Sequence, residues 1–397
     1  MKTKIWLSSP HMGGQEQKYI QQAFEENWIA PLGPNVNGLE SDIEKFLGSS
    51  VHVAAVSSGS AALHLALILL GVRPGDDVIC QSLTFSASAN SILYVGANPI
   101  FVDSERDTWN ICPTLLEKAI KERISLGKKP KAIITVCLYG MPYKVDEIRA
   151  LSIKYQIPII EDSAEGLGSK YKGRNVGTFG DISIFSFNGN KIITTSGGGA
   201  LVVKDSHYKK KAIYLSTQAK DDAPHYEHTT LGYNYRMSNV SAGIGRGQME
   251  VLPERVNQRR ANHLFYKELL KNIPGIKILQ EPNDHFYSNH WLSAITIDSR
   301  ITGFSREDLR LAFERENIES RPIWKPMHMQ PVFRNEISFV NGISEELFQN
   351  GLCLPSGSSL TNEERLRIVK VFEKFIQFQS HQFNLSKFIN SIASGLL

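Results

Sequence analysis

Between residues 77 and 203, six short apolar runs alternate with helical stretches, and this alternation restricts the fold more than any other feature of the chain. The runs are DVICQ around Val78, NPIFVD around Phe101, KAIITVCLYG around Ile134, IPIIEDSA around Ile159, DISIFSF around Ile184 and GALVV around Val202. Strands that are apolar on both faces need cover on both faces, and parallel neighbours need a crossover, which a helix such as VDEIRALSIKY provides. The pattern predicts an α/β fold built on a large, mainly parallel sheet. Ahead of it, SSGSAALHLALILLG, Ser57 to Gly71, sets small polar residues at a turn before an almost wholly apolar helix. Such a helix must be buried, and Gly71 and Pro74 end it. Earlier still, Val36, Leu39, Ile43, Phe46 and Leu47 share one face of an amphipathic surface helix.

Beyond Tyr235 the pattern changes. Ser238 to Lys271 reads as a long helix interrupted near Pro253, and strand-like HWLSAITID is followed by helical SREDLRLAFEREN. Two domains are expected, a large α/β domain over residues 1–250 and a small α+β domain over 251–397. The 44 Lys and Arg nearly balance the 40 Asp and Glu in a chain of 397 residues, which argues against a nucleic-acid partner. Lys209, Lys210 and Lys211, and Arg255, Arg259 and Arg260, could meet phosphates but read better as solvated helix faces. Ala54 to Val72 and Val78 to Val102 lack charge but are broken by Ser, Asn, Gln or Pro, so they read as buried core and not as membrane spans. No apolar leader opens the chain, which is expected to be cytoplasmic. Cys80, Cys112, Cys137 and Cys353 form no C-x-x-C pair, and His225 and His228 in HYEH have no third partner, so no metal is expected.

In open α/β sheets ligands collect beyond the carboxyl ends of the strands. Asp162 ends IPIIED, where it is either a helix N-cap or an anionic partner that keeps a pyridinium nitrogen protonated. Lys191 lies in a Gly/Asn-rich loop between two strands, a setting suited to an amine that forms a Schiff base. Ser186 precedes that loop and offers a hydroxyl to a phosphate. The turn Ser57-Ser58-Gly59-Ser60-Ala61 opens a helix with free N–H groups and a positive dipole end, the makings of a phosphate cup. Phe85, after the next run, is either a core aromatic or a flat partner for a cofactor ring. Neither G-x-G-x-x-G nor a P-loop occurs, which weighs against nicotinamide and nucleotide-hydrolysis chemistry.

Taken in order, SSGSAALHLAL, LTFSASAN, IIEDSAEGLGS, FGDISIFSFNGNKIITTSGGGALV and GYNYRMSN resemble the DegT/DnrJ/StrS-type sugar aminotransferases over nearly the whole chain. The resemblance implies the fold type I (aspartate aminotransferase-like) architecture and pyridoxal 5′-phosphate as cofactor. It implies that Lys191 carries the cofactor, Asp162 pairs with the ring nitrogen and Phe85 stacks on the ring, while Gly59, Ser60, Ala61 and Ser186 hold the phosphate. Asn234 would reach the neighbouring subunit's phosphate, so a homodimer with shared sites is implied. Glu165 stands where many relatives carry His or Gln near the ring hydroxyl.

PHMGGQEQKYI, NWIAPLGPNVN, LSTQAKDDAPHYEH and SRPIWKPMH are similar to the UDP-4-amino-sugar aminotransferases of the bacillosamine pathway. That similarity implies transfer of an amino group from glutamate to C4 of a UDP-linked 4-keto-6-deoxy-N-acetylglucosamine. It assigns Trp28, Ile29, Ala30 and Pro31, His228, and Trp324, Lys325, Pro326, Met327 and His328 to the sugar-nucleotide site. Relatives that dehydrate sugars carry His where this chain has Lys191, which disfavours that chemistry. Another keto sugar, or a non-catalytic regulator that binds sugar nucleotides, are the remaining readings.

Overall fold

The computed structural model describes residues 2–48 and 50–375. Eight strands form the large sheet in the order His52–Val56, Gly199–Val203, Ile182–Ser186, Ile159–Asp162, Ala132–Val136, Asp77–Gln81, Asn98–Val102, Ser338–Phe339. All neighbours are parallel except around Gly199–Val203, which runs against both of its partners. The GALVV run is therefore the one reversed strand, because it returns directly from Ile182–Ser186 through the loop that holds Lys191, without a crossover helix. The helix Gly59–Leu69 is buried, as its sequence requires, in the apolar layer between strands and outer helices.

Four antiparallel strands, Ile276–Ile278, Ser293–Ile297, Gly351–Leu354 and Arg321–Pro322, form a second sheet. It packs with Phe265, Phe313 and Phe372 from helices Asn239–Leu270, Arg306–Arg315 and Asn362–Phe375. SREDLRLAFEREN yields Arg306–Arg315 behind a capping box between Ser305 and Asp308. The expected boundary near residue 251 falls inside the helix Asn239–Leu270, which Pro253 does not interrupt. Pro253 removes one backbone donor, but packing of this helix on Glu16–Glu25 and Pro34–Leu47 carries it through. At Gly247 an added Cβ would come within 2.7 Å of the Glu16 backbone, so glycine lets the two helices touch.

The chain also crosses between the two parts in both directions. Ile5 bridges to Ile318, and Ser338–Phe339 pairs with Asn98–Val102 at the edge of the large sheet. No helix among the described residues is long and apolar enough to cross a membrane.

Candidate active site

The carboxyl ends of the parallel strands, and the start of the reversed one, open on a cavity of about 590 Å³. Its floor is set by Asp162, the last residue of its strand. Asp162 Oδ2 accepts the Ser88 hydroxyl at 2.7 Å, and Oδ1 accepts the Ala164 N–H at 3.2 Å. Burial raises this carboxyl above its usual range, opposed by the two hydrogen bonds and by the charge of Lys191. Ser88 is held in turn by Thr84 Oγ1 at 2.8 Å, on the turn that carries Phe85.

Lys191 extends from the loop between the last two strands of the hairpin. Its Nζ lies 3.3 Å from Glu165 Oε1 and 4.2 Å from the centre of the Trp291 ring. Glu165 Oε2 accepts the N–H of Tyr139 at 2.7 Å, and Tyr139 adopts φ +53° to present it. Burial pushes the Glu165 carboxyl up to about 7, although Lys191 and the Tyr139 N–H pull it down. An ammonium and two enclosed carboxyls with elevated affinity for protons are equipment for proton transfer.

On the other side, Ser58 caps the helix Gly59–Leu69 by accepting the Ala61 N–H at 3.0 Å, and its carbonyl accepts the Ala62 N–H. Ala61 is thus spent within the helix. The N–H groups of Gly59 and Ser60 are the first of that helix and open outward at the cavity wall. Ser186 lines the wall beside them. A Cβ at Gly199 would lie 2.5 Å from the Ser58 carbonyl carbon, so the reversed strand passes directly behind this turn. Phe85 lines the cavity with 56% of its surface exposed, its ring 5.6 Å from that of Trp324. A phosphate cup, a flat aromatic wall, a buried carboxylate and an amine, all in one cavity, fit an anionic aromatic aldehyde such as pyridoxal 5′-phosphate.

The cavity of a single chain brings together Gly59, Ser60, Phe85, Asp162, Glu165, Ser186, Lys191 and Trp324. The other expected residues lie elsewhere. Trp28, Ile29, Ala30 and Pro31 form an exposed turn tied to Asn239, whose side chain donates to the Trp28 carbonyl at 2.9 Å. Asn234 is exposed and its backbone bridges Thr217, while exposed His228 sits with Nδ1 2.9 Å from the Gln218 carbonyl. His225 pairs with Glu227, and no cluster among the described residues has a metal-binding arrangement. Lys325 is half-buried and Pro326 buried; Met327, 2% exposed, packs into the apolar layer with Phe333. His328 is wedged between Ser82 Oγ at 2.6 Å and Glu345 at 3.2 Å. The side chain of Met327 therefore serves the core and does not face the cavity.

Ser88, Tyr139 and Trp291 were not marked in the sequence. Ser88 had a local signal, since it stands one helical turn after Thr84 on the segment that carries Phe85. Tyr139 and Trp291 had none, because only the tertiary fold brings them to Lys191.

Residues 10–373 match the model of the DegT/DnrJ/EryC1/StrS aminotransferase family. The chain is 50% identical over 375 residues to the Bacillus subtilis (strain 168) protein EpsN, named as a pyridoxal phosphate-dependent aminotransferase, covering 94% of this chain and 95% of EpsN. It is 37% identical to the GDP-perosamine synthase of Escherichia coli O157:H7, over 94% of this chain and 98% of that one. Among solved structures, the PLP form of the sugar aminotransferase Spr1654 from Streptococcus pneumoniae superposes with a TM-score of 0.85 at 27% identity, covering 94% of this chain and 100% of Spr1654.

Proposed function

The chain belongs to the DegT/DnrJ/EryC1/StrS family of pyridoxal phosphate-dependent nucleotide-sugar aminotransferases, and from that premise we propose that it aminates C4 of a UDP-linked 4-keto-6-deoxy-N-acetylglucosamine with glutamate as donor. The observation that carries the reading is the meeting of Lys191, Glu165 and Asp162 in one cavity beside the helix that opens at Gly59. When bound, pyridoxal 5′-phosphate supplies the pyridinium ring that takes up the electrons released as a donor C–H bond breaks.

Asp162 holds the proton on the ring nitrogen, and Ser88 fixes the carboxylate that does so. Gly59 and Ser60 offer N–H groups, and Ser186 a hydroxyl, to the phosphate. Phe85 supports one face of the ring. Lys191 Nζ carries the cofactor at rest. As a free amine it would take a proton from the donor's α-carbon in one half-reaction and deliver one to the acceptor's C4 in the other, a role that needs it beside the reacting atoms. Glu165 orients Nζ. Trp324 and the half-buried Lys325 lie on the substrate side.

The reading includes a cytoplasmic homodimer with shared sites. Trp28, Ile29 and Leu231 are 41%, 53% and 77% exposed, a large apolar surface for one chain to present to water. In the dimer these segments, with Asn234, Pro31, Ala30 and His228, serve the other subunit's cavity.

A GDP-linked keto sugar is the second reading, favoured by the 37% identity to a GDP-perosamine synthase. Incubating the loaded protein with glutamate and either UDP-4-keto-6-deoxy-N-acetylglucosamine or a GDP-linked 4-keto-6-deoxyhexose, and identifying the amino sugar by mass and NMR, decides between them. Product from the GDP sugar alone overturns the UDP assignment. Glutamate that leaves the cofactor's visible band unchanged overturns glutamate as donor.

A further inference from the structure

The sequence puts Arg255, Arg259 and Arg260 on a solvated helix face, but Arg259 is 1% exposed and is the largest wholly enclosed side chain among the described residues. Helix Asn239–Leu270 packs this face against the loops of the site, so the charge is directed inward. Among the described residues, none of the groups that accept its hydrogen bonds is a carboxylate. Nη1 donates to the Trp291 carbonyl at 2.6 Å and the Ser356 carbonyl at 3.3 Å. Nη2 donates to Ser8 Oγ at 2.9 Å and to the Lys191 carbonyl at 3.4 Å. Burial, with Arg255 nearby, lowers its proton affinity to about 9, which still leaves it charged at neutral pH.

A buried cation with neutral partners is costly, so the interest lies in what those partners have in common. Ser8 belongs to the N-terminal strap and Lys191 to the loop with the reactive amine. Trp291 supplies the ring 4.2 Å from Lys191 Nζ, and Ser356 follows the strand whose Cys353 reaches the cavity. A second set of bonds joins three of the same segments. Ser8 Oγ and Trp291 Nε1 both donate to the Asn190 carbonyl, at 2.6 and 2.7 Å. Four segments remote in sequence are thus held on one rigid planar fork, which a flexible ammonium cannot reproduce.

We propose that Arg259 is a positioning residue for transamination, whose buried guanidinium fixes both the backbone of Lys191 and the Trp291 ring that Nζ rests on, and so sets the aim of the amine. The proposal rests on Lys191 being the residue that carries the cofactor. Displacing a reacting group by about 1 Å costs on the order of a hundredfold in rate, so loss of the fork acts on the chemical step more than on binding.

The test uses full-length Arg259→Lys, Arg259→Met and Ser8→Ala proteins loaded with pyridoxal 5′-phosphate. Rapid mixing with glutamate gives the limiting rate of visible-band loss and the half-saturating glutamate. Visible circular dichroism reports the orientation of the bound ring, and thermal melting reports the fold. Arg259→Lys is expected to keep its cofactor and melt close to wild type. Its limiting rate should fall about tenfold or more, with half-saturating glutamate changed less than about twofold and dichroism per bound cofactor reduced. Arg259→Met should show a larger loss of the same kind. If it does not fold, Ser8→Ala carries the test with a loss of about threefold, again in the limiting rate. Wild-type rates and dichroism in Arg259→Lys and Ser8→Ala, or losses confined to melting or cofactor affinity, would overturn the proposal alone. A wild-type protein that develops no visible band removes it together with the reading beneath it.

Discussion

Glu165 is shared between Lys191, whose Nζ stands 3.3 Å from one carboxyl oxygen, and the Tyr139 N–H, 2.7 Å from the other. Without cofactor this carboxyl releases its proton near 7, against 4.5 in an unfolded chain. Between those values the native state binds more protons than the unfolded one, so Glu165 makes stability fall as pH rises from about 4.5 to 7 and level off above. Glu165→Gln imitates the protonated form at every pH. Relative to wild type, cofactor-free Glu165→Gln should therefore gain stability between pH 5 and 8, by at most about 3 kcal/mol. Urea unfolding of both proteins at pH 5, 6.5 and 8 measures this, and parallel pH slopes would contradict it.

Asp162 and Ser88 make a second separable pair. Asp162→Asn keeps the shape but cannot hold a positive ring nitrogen, so it should bind cofactor and lose at least about a hundredfold in kcat. Ser88→Ala removes only the 2.7 Å bond that aims the carboxylate, a loss of about 1 kcal/mol or roughly fivefold in kcat. Steady-state kinetics with cofactor occupancy read from absorbance distinguishes the two. Equal losses would mean that Ser88 does more than orient.

Gly199 tests the phosphate turn from behind. A methyl group there collides with backbone at 2.5 Å, whereas at Gly197 nothing lies within 4 Å. Gly199→Ala should weaken pyridoxal phosphate binding at least about tenfold and cost about 1–3 kcal/mol of stability, and Gly197→Ala should do neither. Fluorescence titration with cofactor and urea unfolding check both variants. Normal cofactor affinity in Gly199→Ala would detach the turn from the phosphate.

Shared sites predict complementation. In the proposed shared-site dimer, Lys191→Ala and Asn234→Ala would damage opposite contributions to one cavity, so each alone should be nearly inactive. A dimer that contains one of each retains one intact site. Random mixing makes half the dimers hybrid, which restores about a quarter of wild-type activity. Unfolding and refolding the mixture before assay makes the hybrids, and no recovery would place Asn234 in its own subunit's cavity or outside the site.

Much of the fold was legible because each buried strand is a short apolar run closed by a polar residue. Asp162 marks the end of its strand and Lys191 the hairpin loop, and both signals are local. The reversed direction of Gly199–Val203 was hidden, since an apolar run on both faces reads the same either way. Pro253 misled in the opposite sense, as packing on the N-terminal helices outweighs the missing donor. Within WKPMH, a loop without period, nothing separated Trp324 at the cavity from Met327 in the core. The burial of Arg259 was equally hidden, because its partners lie 32 to 251 residues away.

The strap from Ile5 to Ser8 has a consequence for how the protein is made. Leu7 donates to Glu319, 312 residues later, and Ile5 bridges to Ile318. At about 5–20 residues per second, synthesis leaves Ile5 and Leu7 without their native partners for roughly 15–60 s after they emerge from the ribosome. The pocket is thus closed by a segment made 312 residues before its partner. During that interval the nascent chain presents Ile5 and Leu7 as an unpaired apolar segment that a chaperone could hold, and the yield of active enzyme should depend on elongation rate more than its melting temperature would suggest.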